Sequence, residues 1–218
     1  MKLTLSLFAS AALFIPSASA VTIIDGDFST WALGSAGVGT GYAISDSTSG
    51  NPGARLYVFT NATTNAFVMA TAIKTDFLLT SPIANQQFSL SLDVLSGSQA
   101  FGEGQAIWLL MEQGGSIYAD QVGVTGYPHN YDTVTFSDTF IESNFVRLTG
   151  SGSNTPDFTT GIPTHVGFGA GNFISQTDQY YDNFRLNIVP EPSAAFLLST
   201  GASLFLWRRR CNQNERNG

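Results

Sequence analysis

The chain has 218 residues, of which 43% are hydrophobic and 11% charged, a length that provides one domain with a substantial core plus terminal segments. Between Val21 and Val189 it contains four basic and fourteen acidic residues, for a net charge of −10. Nucleic acids and anionic lipids bind proteins through clusters of lysine and arginine, so this charge excludes nucleic acid as a partner. The single cysteine, Cys211, leaves no intramolecular disulfide, so the domain must be held together by its core or by a metal.

The first twenty residues have the pattern of a secretory signal. Lys2 provides a positive start, residues 3–15 form an apolar run, and Ala18-Ser19-Ala20 has the small-x-small pattern that precedes cleavage. We therefore predict that signal peptidase cuts between Ala20 and Val21 and that the rest of the chain is exported.

Two segments of the body have clear strand patterns. In residues 87–95, apolar and polar side chains alternate, as in a strand with one face in the core. Residues 105–112, which include Trp108, are apolar almost throughout, as in a central strand that is buried on both faces. We assign Trp108 to the core.

The same composition predicts further strands at residues 54–60, 132–136, 145–149, 165–170 and 180–189. Turn signals rich in glycine and proline separate them, and no long helical periodicity interrupts the series. Short strands at such intervals predict an all-β domain over residues 21–189, an antiparallel, jelly-roll-like β-sandwich.

Residues suited to catalysis are scarce. His129 and His165 are the two available neutral-pH bases, and the sequence has neither a G-x-S-x-G nor an H-E-x-x-H motif. Glu103 and Glu112 are candidates for a carboxylate pair of the glycosidase type, although separate carboxylates in loops are commonly solvated. We predict a non-catalytic domain with no catalytic residues, and an enzyme acting on matrix polysaccharide stays as an alternative.

Several aromatic residues have the surroundings that sugar binding requires. A pyranose has apolar C–H faces ringed by hydroxyls, so its binding site combines exposed aromatic rings with polar side chains. Trp31, Tyr127 and Tyr131 lie in polar or loop-like segments and are our candidate ligand-binding residues. Tyr118 and Tyr180 have similar neighbours.

The two ends of the domain resemble one class of known protein. Gly26-Asp27-Phe28 near the start and the Tyr181-Asp182-Asn183-Phe184 stretch near the end resemble carbohydrate-binding modules of the galactose-binding-like jelly-roll type. The resemblance implies that the first and last strands lie close together and that acidic side chains from both ends hold a structural calcium ion. Asp27 and Asp182 would be its ligands, with Asp25 as a helper.

The end of the chain combines an extended segment, a short apolar stretch and a basic cluster. Pro190 and Pro192 fix the backbone and remove two hydrogen-bond donors, so neither a helix nor a sheet continues through them. Residues 194–207 predict a helix of ~21 Å, shorter than the ~30 Å hydrocarbon core of a membrane. Arg208, Arg209 and Arg210 would keep the tail inside and the domain outside.

This tail resembles the PEP-CTERM sorting signal of Gram-negative bacteria, in which a proline-bounded motif, a hydrophobic helix and a basic cluster follow each other. The motif residues here are Val189, Pro190, Glu191 and Pro192, and the polar extension at residues 211–218 is longer than is usual in that family. The resemblance implies transient anchoring in the inner membrane, processing by an exosortase, and delivery to the cell surface or extracellular matrix of a bacterium that makes exopolysaccharide.

These observations favour an exported, non-catalytic protein with a structural or glycan-associated role and exopolysaccharide as a possible partner. A calcium-stabilised carbohydrate-binding module is the first alternative, and an enzyme acting on matrix polysaccharide is the second.

Overall fold

The computed structural model describes residues 20–62, 66–97, 104–173 and 176–190. In these residues it has twelve β-strands, two 3-10 turns and no α-helix. The strands are β1 (Val21–Asp25), β2 (Trp31–Gly37), β3 (Gly39–Gly50), β4 (Gly53–Ala62), β5 (Val68–Leu79), β6 (Gln87–Ser96), β7 (Ala106–Gln113), β8 (Ser116–Val124), β9 (Asp132–Thr139), β10 (Val146–Thr149), β11 (Thr164–Asn172) and β12 (Gln176–Val189). The 3-10 turns are Phe28–Thr30 and Glu142–Asn144. Over the described ranges, no helix has the length and apolar character needed to cross a membrane.

The strands form two antiparallel sheets. Sheet A has the order β3-β4-β12-β6-β9, and sheet B has the order β10-β8-β7-β11-β5-β2. In sheet A the first half of β12 pairs with β4, while its second half pairs with β1. The predicted all-β sandwich is therefore confirmed, and so is the expected closeness of the first and last strands, since Ile23 lies opposite Leu186.

The core lies between the sheets and is formed by the apolar side chains at alternate positions of the strands. Leu90 and Leu92 of β6 are fully buried and pack with residues of the facing sheet such as Leu109 of β7. Trp31 and Phe168 join them in an aromatic cluster with ring centroids 6.1 Å apart.

Sheet B has a second, smaller cluster on its other face. Trp108, only 6% exposed, packs against Phe67 there, with ring centroids 4.9 Å apart. The strand next to it, β11, has glycine at every second position facing this cluster, and a Cβ atom on Gly169 would lie 2.2 Å from the sulfur of Met69. The absence of side chains at these glycine positions lets Met69 and Trp108 lie over this face of the sheet.

All seven predicted strands are found, and the structure has five further ones. The segments expected at 54–60, 87–95, 105–112, 132–136, 145–149 and 165–170 correspond to β4, β6, β7, β9, β10 and β11, and β12 begins four residues earlier than expected. The sequence patterns predicted no strand at β1, β2, β3, β5 or β8.

Parts of the predicted sorting signals lie outside the described residues. Glu191, Pro192, the helix at 194–207 and the cluster Arg208–Arg210 are among them, as are residues 1–19. Val189 ends β12 and is half exposed, Pro190 follows it, and Ala20 precedes the first residue of β1. Signal cleavage and tail processing stay predictions.

Candidate functional site

The outer surface of sheet A presents a group of aromatic side chains that strand register brings together. Tyr42 of β3 lies opposite Phe59 of β4, and Tyr57 of β4 lies opposite Tyr180 of β12. Because side chains alternate along a strand, these four rings point away from the core that Leu56 and its neighbours fill. We call Tyr42, Arg55, Tyr57, Phe59 and Tyr180 the aromatic face.

The rings of this face form a continuous row across three neighbouring strands. Tyr42 stacks on Phe59 with centroids 5.0 Å apart and an interplanar angle of 21°. Tyr57 lies 6.2 Å from Tyr42 and 5.1 Å from Tyr180. Tyr42 is 39% exposed and the other rings are half-buried, so solvent reaches the row.

Arg55 covers one end of this row. The carbon at the centre of its guanidinium lies 3.6 Å from the centroid of the Tyr180 ring, a cation–π contact. Its Nε donates to Oδ2 of Asp46 at 3.1 Å. The other oxygen of Asp46 accepts from the backbone N–H and the hydroxyl of Thr48, and these bonds lower the pKa of Asp46.

A buried carboxylate supports the middle of the row. Oδ2 of Asp178, a residue 7% exposed, accepts from the hydroxyl of Tyr57 at 3.2 Å. Burial, together with the charge of Asp178, raises the pKa of Tyr57 well above its usual range. The phenol therefore stays protonated and acts as a donor, and Asp178, on the same side of sheet A, holds its hydroxyl in place.

Of the three predicted ligand-binding residues, Tyr131 lies at this face. It precedes β9 and lies beside Arg55 and Tyr180; burial raises the pKa of its phenol, while Arg55 acts in the opposite direction. Tyr127 is half-buried in the loop after β8, with its ring packed edge-on to His129 at 5.5 Å, and its role stays a prediction.

Trp31 does not provide the exposed ring that was expected. It is 6% exposed and its ring contacts Phe28 and Phe184, each with centroids 5.0 Å away. Its Nε1 donates to Oδ2 of Asp25 at 3.0 Å. Polar neighbours in sequence suggested exposure, but the apolar indole packs into the core and its single donor is satisfied there. Tyr118, which is 5% exposed, likewise belongs to the core.

The residues predicted to hold calcium lie near one another but already have other bonds. Asp182 is fully buried and accepts from the backbone N–H groups of Asn51 and Asn183. Burial raises the pKa of Asp182, and the nearby charge of Asp93 adds to this effect. A Cβ atom on Gly26 would lie 3.5 Å from Oδ1 of Asp182, so the first turn of the domain does reach this carboxylate.

The two acidic residues beside Gly26 have their own partners. Asp27 is exposed and caps the first 3-10 turn by accepting from the N–H of Ser29 at 3.0 Å. Asp25 accepts from the N–H of Asp27 and forms an ion pair with Lys74. Within the described ranges, no group of three or more His, Cys, Asp and Glu residues is arranged to hold a metal ion. Asp182 offers a buried anionic oxygen donor, and calcium at this place stays a prediction.

Two of the residues considered for catalysis, His165 of β11 and Glu112 of β7, lie opposite each other in sheet B. Nδ1 of His165 lies 2.8 Å from the carbonyl oxygen of Phe77, whereas His129 is exposed in the loop before β9. Glu112 is on β7 of sheet B, and Glu103 lies outside the described residues.

Most of the aromatic face was not found from the sequence. The alternation in residues 54–60 places Tyr57 and Phe59 on the side opposite Leu56, but it does not say which strands lie beside them. Tyr42 and Asp46 belong to a strand rich in glycine and serine that has no clear pattern. The Asn51-Pro52-Gly53 turn signal predicts that the segment before it pairs with β4, and this pairing places Tyr42 and Asp46 beside Tyr57 and Phe59.

Comparisons with known proteins give a likeness of fold. No protein-family model and no curated protein sequence matches this chain. Among solved structures, the family 11 carbohydrate-binding module of the cellulase Lic26A-Cel5E of Clostridium thermocellum has 13% identity and a TM-score of 0.46, over 79% of this chain and 96% of that one.

Two further structures are similar to a comparable degree. The CBM22-1 xylan-binding domain of Paenibacillus barcinonensis Xyn10C has 11% identity and a TM-score of 0.42, over 76% of this chain and 90% of that one. A Stig cyclase, Fisc from Fischerella sp. TAU, has 16% identity and a TM-score of 0.41, over 79% of this chain and 99% of that one. Because all three TM-scores lie below 0.5, we argue function from the side chains of this chain alone.

Proposed function

We propose that this domain binds glycan chains through the aromatic face, as a non-catalytic component of a cell surface or extracellular matrix. The observation that carries the proposal is the row of Tyr42, Phe59, Tyr57 and Tyr180 across three strands, with phenol, carboxylate and guanidinium groups beside it. Aromatic faces match the C–H faces of sugar rings, and the polar groups match their hydroxyls.

Affinity electrophoresis of residues 21–189 tests this proposal. The gel contains either the host's own exopolysaccharide or one member of a panel of soluble plant and microbial polysaccharides. We expect retardation by at least one of them, and Tyr57→Ala should weaken the affinity by about tenfold because one ring contact is worth ~1 kcal/mol or more.

A matched variant controls for the general loss of an aromatic ring. Phe173, on the sheet B side, is 46% exposed, and Phe173→Ala should leave retardation unchanged. Unchanged migration of the parent protein in every gel, or equal effects of Tyr57→Ala and Phe173→Ala, would contradict binding at the aromatic face. Release of reducing ends on prolonged incubation would contradict the non-catalytic assignment.

The localisation of the protein is a separate part of the proposal. It rests on the signal pattern that ends at Ala20 and on the Val189–Pro192 motif with its apolar and basic continuation. We propose that signal peptidase and an exosortase process the two ends and that the domain reaches the outside. Fractionation of cells should find the domain outside them, and replacing Arg208, Arg209 and Arg210 by serine should leave an unprocessed, longer form. An intracellular domain in wild-type cells would overturn this assignment.

A structural calcium ion is the remaining part of the proposal. Asp182, buried next to Asp93 and Gly26, would hold it with Asp27, and the ion would stabilise a domain without a disulfide. We expect EDTA to lower the Tm of residues 21–189 and added calcium to restore it, and Asp182→Asn should remove this response. An identical Tm in EDTA and in calcium would remove the metal from the proposal.

A further inference from the structure

The charges around the aromatic face bear on which glycans it accepts, an inference that rests on the proposed function. Two acidic side chains, Asp46 and Asp178, contact members of the face, and among the described residues Arg55 is its single cation. Arg185 lies on the same side of sheet A but farther along β12, opposite Ile24 and Ser91. The face therefore has an excess of negative charge, within a domain whose net charge is −10.

Arg55 itself is already engaged. A free arginine binds a carboxylate or sulfate of an acidic sugar through two parallel N–H bonds. Here its Nε donates to Asp46 at 3.1 Å, and the plane of its guanidinium lies over Tyr180 at 3.6 Å. The two side chains of the ion pair are 19% and 30% exposed, so the pair is at the surface where a ligand would meet it.

Asp46 is also held rigidly in its place. One oxygen binds Arg55, and the other accepts from the N–H and hydroxyl of Thr48 at 3.1 and 3.0 Å. An acidic sugar that approached the remaining N–H groups of Arg55 would also meet the negative charge of Asp46, which already neutralises the guanidinium. A neutral sugar meets no such repulsion, and its hydroxyls can accept from the remaining guanidinium N–H groups while its ring lies on the aromatic row.

We infer that the aromatic face selects uncharged glycan chains over anionic ones, and that Asp46 is the residue that determines this selectivity by neutralising Arg55. The row of rings crosses two inter-strand spacings, ~10 Å in all, so it contacts more than one sugar ring of an extended chain.

The test compares neutral with anionic polysaccharides in the same electrophoresis. The neutral probes are soluble β-glucan, xylan, galactan and mannan, and the anionic probes are polygalacturonate and alginate. We expect the wild-type domain to be retarded more strongly by at least one neutral probe than by either anionic one. Asp46→Asn should bind polygalacturonate about two- to fivefold more tightly than the wild type, the range that a surface charge pair provides. Added salt should reduce this gain in affinity because it screens the charges.

Two matched variants isolate the effect of Asp46. Glu112→Gln removes the same charge from strand β7 of sheet B and should not increase binding to polygalacturonate. In the double variant Asp46→Asn/Arg55→Gln, the gain should disappear because the freed cation is gone. A gain equal to that of Asp46→Asn in either variant would contradict the role of Asp46.

The possible failures are distinguishable. Wild-type retardation by an anionic probe in preference to every neutral one, lost in Tyr57→Ala, would overturn the selectivity but leave glycan binding in place. Retardation by no probe, or retardation that Tyr57→Ala leaves unchanged, would overturn the proposed function and this inference together. The wild-type comparison decides the selectivity even where a variant fails to fold, which near-UV circular dichroism of each variant reveals.

Discussion

Asp120 of β8 has a carboxylate that is buried away from water without a complete set of partners. The residue is 7% exposed, and within the described part of the chain its Oδ2 has no hydrogen-bond partner. Burial, with a further contribution from the charge of Asp138, raises the pKa of Asp120 from 3.8 to about 6. At neutral pH the carboxyl group of Asp120 is therefore ionised in a buried position that favours its protonated form.

This raised pKa predicts a dependence of stability on pH. Between about pH 4 and pH 6 the folded state keeps a proton that the unfolded state has lost, so stability falls as the pH rises through this range. Asp120→Asn should therefore increase the free energy of unfolding by about 1–3 kcal/mol at pH 7 and change it little at pH 4. Urea unfolding at the two pH values measures this, with Asp132→Asn as an exposed control. An equal effect of Asp120→Asn at both pH values would contradict it.

Among the elements, β1 and β5 are joined by an ion pair although they belong to different sheets. Lys74 of β5 contacts Asp25 of β1 and also Oδ1 of Asp76, the latter at 2.7 Å. The side chains of Lys74 and Asp25 are 11% and 12% exposed. The indole of Trp31 donates to the same oxygen of Asp25, so the start of the domain is fastened to sheet B by polar bonds as well as by packing.

Removing one partner of this pair should be costly. Lys74→Met leaves the carboxylate of Asp25 buried without its cation, and we expect it to lower the free energy of unfolding by about 3 kcal/mol. The double variant Asp25→Asn/Lys74→Met should recover part of this loss because no buried charge remains. Arg185→Met, at an exposed position of β12, is the control, with a change under about 0.5 kcal/mol. Equal losses in Lys74→Met and the control, by chemical denaturation, would contradict this account.

The close packing against the glycines of strand β11 allows a further prediction about stability. Gly169 lies opposite Trp108, and a Cβ atom there would overlap the side chain of Met69. Gly169→Ala should therefore lower the free energy of unfolding by about 1–3 kcal/mol, as expected for overpacking. Gly126→Ala provides the comparison, since a Cβ atom on Gly126 meets nothing within 4 Å. Thermal unfolding of both variants measures the difference, and similar Tm values would contradict the packing argument.

The elements also show what the sequence could predict. The alternation in β6 and the apolar run in β7 indicated a sandwich because each reflects the local burial of one strand. Strand β5 was missed because its first seven residues, although buried, include alanine, threonine and lysine, so they show neither the alternation of β6 nor the apolar run of β7. The aromatic face was missed for another reason, since it depends on which strands are neighbours, and that is set by contacts such as Tyr57 with Tyr180, 123 positions apart in the chain.

At the scale of the whole molecule, sheet A depends on its last strand. β12 lies between β6 on one edge and β4 and β1 on the other. Without it, β1, β4 and β6 each lose one neighbour, and the core loses Tyr181, Phe184 and Leu186, which are fully buried. We expect residues 21–175 to be unfolded by near-UV circular dichroism, whereas residues 21–190 should fold. A cooperative thermal transition in the shorter chain would contradict this.

This position of β12 has a consequence for the timing of folding. Eight of the ten strand pairings of the described residues join strands that do not follow each other in the chain, and the central pairing of sheet A waits for β12, which is synthesised after the other strands. The nascent polypeptide therefore has no finished sandwich to protect it until Val189 has been made. Until then the core lacks the buried rings of Tyr181 and Phe184, and proteases can attack the incompletely packed strands.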